Sequence, residues 1–222
     1  MAAPADITLK NLNGEWTMDK TLSNPTEPIL ELQGMGWLTR KALSVATVTL
    51  SIHEYPDAAE PSIVHIDIDQ TITGGIKGTT ERRISDSKPR EHQDHIFGHV
   101  RGQSQFFRGS KGEDGKVRPY LEFKTQSDEP LVFKFLRGEV LADGSECEGF
   151  IVEDMGEEFG EGEGIWFQSF VENLDSGWTA EQIWGFELID GKRYYTRRVA
   201  VVKNKSYKLA RFVYTFIKPR AE

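Results

Sequence analysis

From Val45 onward the chain alternates between apolar and polar residues. Ala46, Val48, Leu50 and Ile52 share one face of an extended segment, with Thr47, Thr49 and Ser51 on the other. That period of two marks a strand with one buried side. Val64, Ile66 and Ile68 repeat it against His65, Asp67 and Asp69, Gly74-Gly75 marks a turn, and residues 79–84 form a short polar strand. Residues 92–107 are long enough for one bent strand or two, with Gly98 and Gly102 as bends or bulges. Residues 120–124 and 131–136 read as a further strand pair around the polar Gln126-Ser127-Asp128-Glu129. Three strands close the chain, over residues 178–189, 192–202 and 207–217, joined by the tight-turn pair Asp190-Gly191 and a turn at Asn204. In the first of them Trp178, Ala180, Gln182, Trp184, Phe186 and Leu188 share the face expected to be buried.

The beginning of the chain reads differently. Residues 7–18 predict a first strand carrying Trp16. Asn24 then serves as helix N-cap, Pro25 suits the first helical position, and Glu27 stands three residues after the cap. The helix, residues 28–32, is interrupted by Gly34 and Gly36, and Trp37, Leu38, Lys41 and Ala42 give a second short one. Two such helices are too short for a bundle and suit a lid. Residues 138–164 hold ten acidic side chains and no lysine or arginine, which reads as an acidic, loop-rich insertion with a short strand at 150–152. The alternating ligands of an EF-hand are absent from it. About ten to twelve strands without a long helix predict an all-β fold, an up-and-down antiparallel β-barrel with a helix-turn-helix lid after the first strand. No repeat or linker divides residues 1–222, so one domain is expected.

Two stretches resemble a known family. Gly14-Glu15-Trp16 matches the glycine-x-tryptophan signature on the first strand of calycins, the lipocalins and fatty-acid-binding proteins. Leu32-Gln33-Gly34-Met35-Gly36-Trp37-Leu38-Thr39-Arg40-Lys41 resembles the helical lid of intracellular fatty-acid-binding proteins. The likeness covers residues 11–52 well, and the extra length falls between Gly109 and Gly164. It implies a calycin barrel that binds a hydrophobic small molecule. The family's ligand-holding arginine-x-tyrosine pair does not transfer. Arg211-Phe212-Val213-Tyr214 has one residue too many, which sends the two side chains to opposite faces. A calycin's tryptophan commonly packs beneath a late arginine, and the resemblance implies that structural role for Arg211 against Trp16.

Composition narrows the partners. A net charge of −8 opposes nucleic-acid binding, which needs a concentrated basic face. The lone Cys147 allows no intrachain disulfide and suits a reducing compartment. In an acidic loop it makes a poor nucleophile. No apolar run reaches the ~20 residues of a membrane helix, and the N-terminus lacks a signal-peptide pattern. The chain reads as cytoplasmic, without a membrane span.

Polar residues on an inward barrel face are the informative ones, because a buried polar group needs a partner. Gln182 beside Trp184 and Ala180 is one. Arg197 is another, on a face with Tyr195, Val199 and Val201, although Arg198 could be the inward one instead. Tyr214 from the last strand joins this ligand-binding set. His95 and His99 are candidate acid–base groups; on a strand they lie about 13 Å apart, too far to share a metal. Arg101 and Gln103 continue their face as a second polar wall. No nucleophile elbow, phosphate loop or dinucleotide fingerprint occurs, and no cofactor or metal is expected. The first reading is an intracellular carrier of a fatty acid, terpenoid or similar molecule. The alternative is a cofactor-free isomerase or cyclase working in the same cavity. A protein-binding scaffold built on the acidic insertion is a third class.

Overall fold

The computed structural model describes residues 2–74, 78–112, 114–153 and 160–220. Gly75 of the expected turn and part of the acidic insertion lie outside these residues. The strands are β1 (Gly14–Met18), β2 (Val48–Pro56), β3 (Val64–Ile72), β4 (Thr80–Ile84), β5 (Arg90–Asp94), β6 (Gly98–Lys111), β7 (Val117–Pro119), β8 (Glu163–Asn173), β9 (Thr179–Ile189), β10 (Lys192–Lys203) and β11 (Ser206–Lys218). The helices are α1 (Glu27–Leu32), α2 (Trp37–Val45) and α3 (Pro130–Leu136). The sheet runs β4-β3-β2-β1-β11-β10-β9-β8-β6-β5, with β7 attached to β6.

This is an antiparallel up-and-down barrel with a helix pair after its first strand. Short turns make chain neighbours into sheet neighbours. Asp190 and Gly191 both take positive φ, 51° and 71°, which is what a two-residue hairpin loop between twisted strands requires. The first and last strands then pair with each other and close the ring. A gap remains between β4 and β6. It is stitched at one end, where Ser87 donates its backbone N–H to the Ser104 carbonyl at 2.9 Å and its hydroxyl to Gln105 at 2.7 Å.

The barrel interior has two halves. Away from the lid, Trp16, Phe167, Trp184, Phe186, Tyr195 and Phe216 fill the space with touching rings. Residues 3–13, of which 7–13 were expected to belong to the first strand, form a strap beneath this half, with Leu9 and Leu12 fully buried. Arg193 holds the strap by donating to the Pro4 and Ile7 carbonyls, both at 2.8 Å. Trp16 donates to the Leu12 carbonyl at 3.0 Å. Beneath the lid the interior is open and forms the cavity described below.

Four local expectations are corrected. Asn24 does not cap α1. Thr26 takes that place, and Asn24 instead extends β11, accepting from the Arg211 N–H at 2.8 Å and donating to its carbonyl at 3.0 Å. Residues 131–136 are helical, because Pro130 starts a turn and Val132, Phe135 and Leu136 fall on one helical face. A six-residue run with five apolar positions fits either period, so the sequence did not decide. Residues 120–124 form no strand, and residues 150–152 contribute a single bridge from Phe150 to Glu187.

The extra length between β6 and β8 packs outside the barrel. Val132, Phe135, Leu136 and Phe150 bury the outer face of β8 to β10 at Trp166, Ile183 and Ala200. Polar residues on that outer face are therefore buried too. Arg198 donates to Glu187 at 2.8 and 2.9 Å and to the Phe135 and Val140 carbonyls at 3.0 and 2.6 Å. It thereby caps the C-terminal end of α3. Arg211 joins Glu187 at 3.0 Å, so it pairs there and not against Trp16. Burial pushes the Glu187 carboxyl up, but Arg198 and Arg211 outweigh it and hold it below its ordinary range. Beside them, Glu181 accepts from the Thr125 and Lys124 amides at 2.8 and 3.2 Å, fastening the insertion to β9. Among the described residues, no helix is long and apolar enough to cross a membrane.

Candidate functional site

The cavity under the lid measures about 240 Å³. Ile29, Leu30, Met35 and Leu43 roof it, and Val48, Leu50, Val100, Trp178, Val201 and Phe212 are among its walls. Its floor, where it meets the aromatic half of the barrel, carries Gln182, Arg197 and Tyr214, with Gln70, Glu81 and Arg83 arriving from β3 and β4.

Parity places these groups. Tyr195, Arg197, Val199 and Val201 face inward on β10, and Arg198 faces the insertion. The sequence could not separate the two arginines because both faces of β10 are buried. Register sets Arg197 opposite Trp184. The guanidinium lies 4.0 Å from the Trp184 ring centroid, a cation–π contact. Its Nε donates to the Tyr195 hydroxyl at 2.9 Å, and its Nη1 meets Glu81 at 3.4 Å. Nη2 is buried with no hydrogen-bond partner among the described residues.

Glu81 is shared. Gln70 donates to one carboxylate oxygen at 2.6 Å, and Arg83 to the other at 3.2 Å. Burial pushes this carboxyl up, but Arg197, Arg83 and Gln70 outweigh burial and leave it below its ordinary range, so it is ionised near neutrality. Burial works against the Arg197 charge, yet the Tyr195 and Tyr214 oxygens and Glu81 prevail and the guanidinium holds its proton more tightly than usual. Burial also pushes Tyr214 up against the pull of Arg197, which keeps the phenol neutral. Gln182 accepts from the Trp184 indole N–H at 2.9 Å. An indole nitrogen only donates, so this bond fixes the amide with its oxygen toward Trp184 and its NH₂ free to donate at the cavity wall.

Of the residues singled out from the sequence, the structure brings Gln182, Trp184, Tyr195, Arg197 and Tyr214 together at the floor. It sends the others elsewhere. His95 is exposed in the β5–β6 turn. His99 meets Glu91 at 3.2 Å and Arg101 meets Glu172 at 2.6 Å, on the outer side of β6. Gln103 is paired with Phe170 on that same side. The reason is the tight turn over residues 95–97, where Asp94 accepts from the Ile96 and Phe97 amides and Gly98 takes a φ of 77°. The turn sets the parity of β6 so that Val100 faces inward, and His92, its partner on β5, reaches the cavity rim in place of His95. Gln70, Glu81 and Arg83 were not singled out. Glu81 and Arg83 lie on β4, which is polar on both faces and gave no inward signal, whereas Gln70 continues the inward row of Ile66 and Ile68 on β3, and that alternation could have found it. Among the described residues no group of histidine, cysteine, aspartate and glutamate is placed to hold a metal ion.

No protein-family model matches the chain. Two curated proteins align with it from end to end. A probable pericyclase, scpY, of Mollisia scopiformis is 26% identical over 219 residues, covering 99% of this chain and 96% of its own. The pericyclase pydY of an Acremonium species is 28% identical over 221 residues, covering 100% of both. Solved structures similar in fold are fatty-acid-binding proteins. One from Schistosoma mansoni in complex with arachidonic acid is 11% identical, with a TM-score of 0.47 over 93% of this chain and 96% of its own. Fatty-acid-binding protein 1 of Echinococcus granulosus is 10% identical, with a TM-score of 0.48 over 93% and 98%.

Proposed function

We propose that this chain is a pericyclase: it folds an unsaturated, mostly apolar substrate inside the barrel and lets bonds reorganise in one concerted cyclic step. The carrying observation is the cavity, apolar on its walls with fixed donors on its floor. The names of the two full-length relatives support the same reading. An intramolecular cycloaddition turns two π bonds into two σ bonds and gives an isomer, so no oxidant, reductant or leaving group enters. Such chemistry asks two things of a protein. One is confinement in a reactive fold, which removes the entropy of finding it. The other is a set of donors on an oxygen conjugated with the reacting π system, placed to stabilise charge that builds there. Ile29, Val100, Trp178 and Val201 supply confinement, and Arg197 and Gln182 supply donors. The carrier reading uses the same cavity without turnover.

The test is a panel of linear trienes, each tethering a diene to a carbonyl-activated alkene, incubated with purified protein. Loss of diene absorbance and chiral chromatography of the product of unchanged mass are read. Enantioenriched product formed faster than the background, and lost in Val201→Trp, is expected. Racemic product at the background rate throughout, with an unaltered small molecule retained in native mass spectra, refutes the enzyme and leaves the carrier.

A further inference from the structure

We propose that the cavity floor is an anion seat, which takes the ligand's head as a negatively charged oxygen group, with Glu81 as the resident counter-charge that sets its strength. The seat occupies the cavity assigned above to the reaction, and it concerns binding, so it stands whether or not turnover follows.

Three observations converge. The first is a surplus of donors. Arg197 is 3% exposed, and its Nη2 is buried without a partner among the described residues, as is Nε of Arg83. A buried donor left unsatisfied is costly, and more so when it is charged. Gln182 adds a third donor, because Trp184 occupies its oxygen. The second is charge. Arg197 and Arg83 both lean on the single carboxylate of Glu81, at 3.4 and 3.2 Å, so the cluster keeps one uncompensated positive charge at the edge of an apolar cavity. A neutral carbonyl meets the donors but not the charge; an ammonium meets neither. An anionic oxygen group meets both, with two oxygens to span the guanidinium nitrogens. The third is rigidity. The Trp184 ring beneath the guanidinium and the Tyr195 hydroxyl on Nε hold its plane before anything binds, which lowers the ordering cost of recognition.

The seat stands on β10 and β4. The arginine of the last strand plays no part in it, since Arg211 faces the insertion and is taken by Glu187. Glu81 approaches from a strand bordering the barrel gap, so it acts as a positioning residue, competing with the ligand's anion for Arg197.

The experiment compares decanoic acid, methyl decanoate and decan-1-ol at pH 8, by displacement of Nile red and by quenching of tryptophan fluorescence. The three share one chain and differ in the head. We expect the acid to bind at least tenfold more tightly than either neutral compound. Arg197→Met should erase that preference while sparing ester binding, and Glu81→Gln should widen it several-fold. Equal affinities, no binding by any of the three, or an acid preference that survives Arg197→Met overturns the seat. If Arg197→Met fails to fold by circular dichroism, Glu81→Gln decides: an unchanged or reduced acid-to-ester ratio overturns it. Failure in the triene assay with a confirmed acid preference would sink the pericyclase reading alone.

Discussion

Glu54 offers a quantitative check on how dry the closed half of the barrel is. On β2 it continues the inward row of Leu50 and Ile52, and it is 8% exposed. Its carboxylate accepts from the Leu12 N–H at 2.9 Å, and Asn13 exchanges two bonds with its backbone at 2.8 and 3.1 Å. Burial pushes the carboxyl from its ordinary 4.5 up to about 8, with the Leu12 amide and Lys10 pulling it back only in part. Between those values the folded protein keeps a proton that the unfolded chain releases. Stability is therefore full below pH 4.5, falls as pH rises, and is lost to this group above about pH 8. At about 1.4 kcal/mol per pH unit, ionisation of Glu54 removes about 5 kcal/mol across that window. Glu54→Gln cannot ionise and can still accept from Leu12. Urea unfolding of both proteins from pH 5 to 9 should show the variant gaining about 3–5 kcal/mol on the wild type as pH rises. In thermal melts that is about 6–20 °C for a chain of this size. Other titrating groups cancel in the difference. A difference constant to within about 1 kcal/mol would refute the reasoning, and would mean that water reaches Glu54 or that the strap opens when it ionises. Trp16 fluorescence separates those two, since its indole is bonded to the strap at Leu12.

Two further outcomes follow from the outer layer. Glu187→Gln leaves Arg198 and Arg211 buried without their shared counter-ion and should cost about 3–5 kcal/mol in urea unfolding, whereas a cost below about 1 kcal/mol would show that water screens the pair. Gly185→Ala sets a methyl 2.6 Å from the Phe150 ring and 3.0 Å from Trp166. It should cost about 1–3 kcal/mol and speed amide exchange at Ile151, which donates to Phe186; protection unchanged at Ile151 would show that Phe150 does not hold the insertion down.

The barrel was legible in the sequence where one face of a strand is buried and the other meets water. Alternation in β2 and β3, and Asp190-Gly191 between β9 and β10, specify local geometry that needs no knowledge of distant contacts. Gly34 and Gly36 likewise announce a broken helical lid. Alternation carries no such information once both faces are covered. In β9 and β10, Glu181, Glu187 and Arg198 are as buried as Trp184 and Tyr195, because α3 and Phe150 cover the far side. Only the tertiary structure could choose Arg197 over Arg198 for the cavity. The same holds for the turn after β5, whose length set the parity that put His99, Arg101 and Gln103 outside. Glu81 lay furthest from reach: it meets Arg197 across 116 positions of sequence, and a contact between opposite walls of a barrel leaves no trace in the period of either strand. The sequence by itself determined the barrel and its lid, because period and turn chemistry are local. The charged floor of the cavity was decided by closure of the ring, because only then do β4 and β10 face each other.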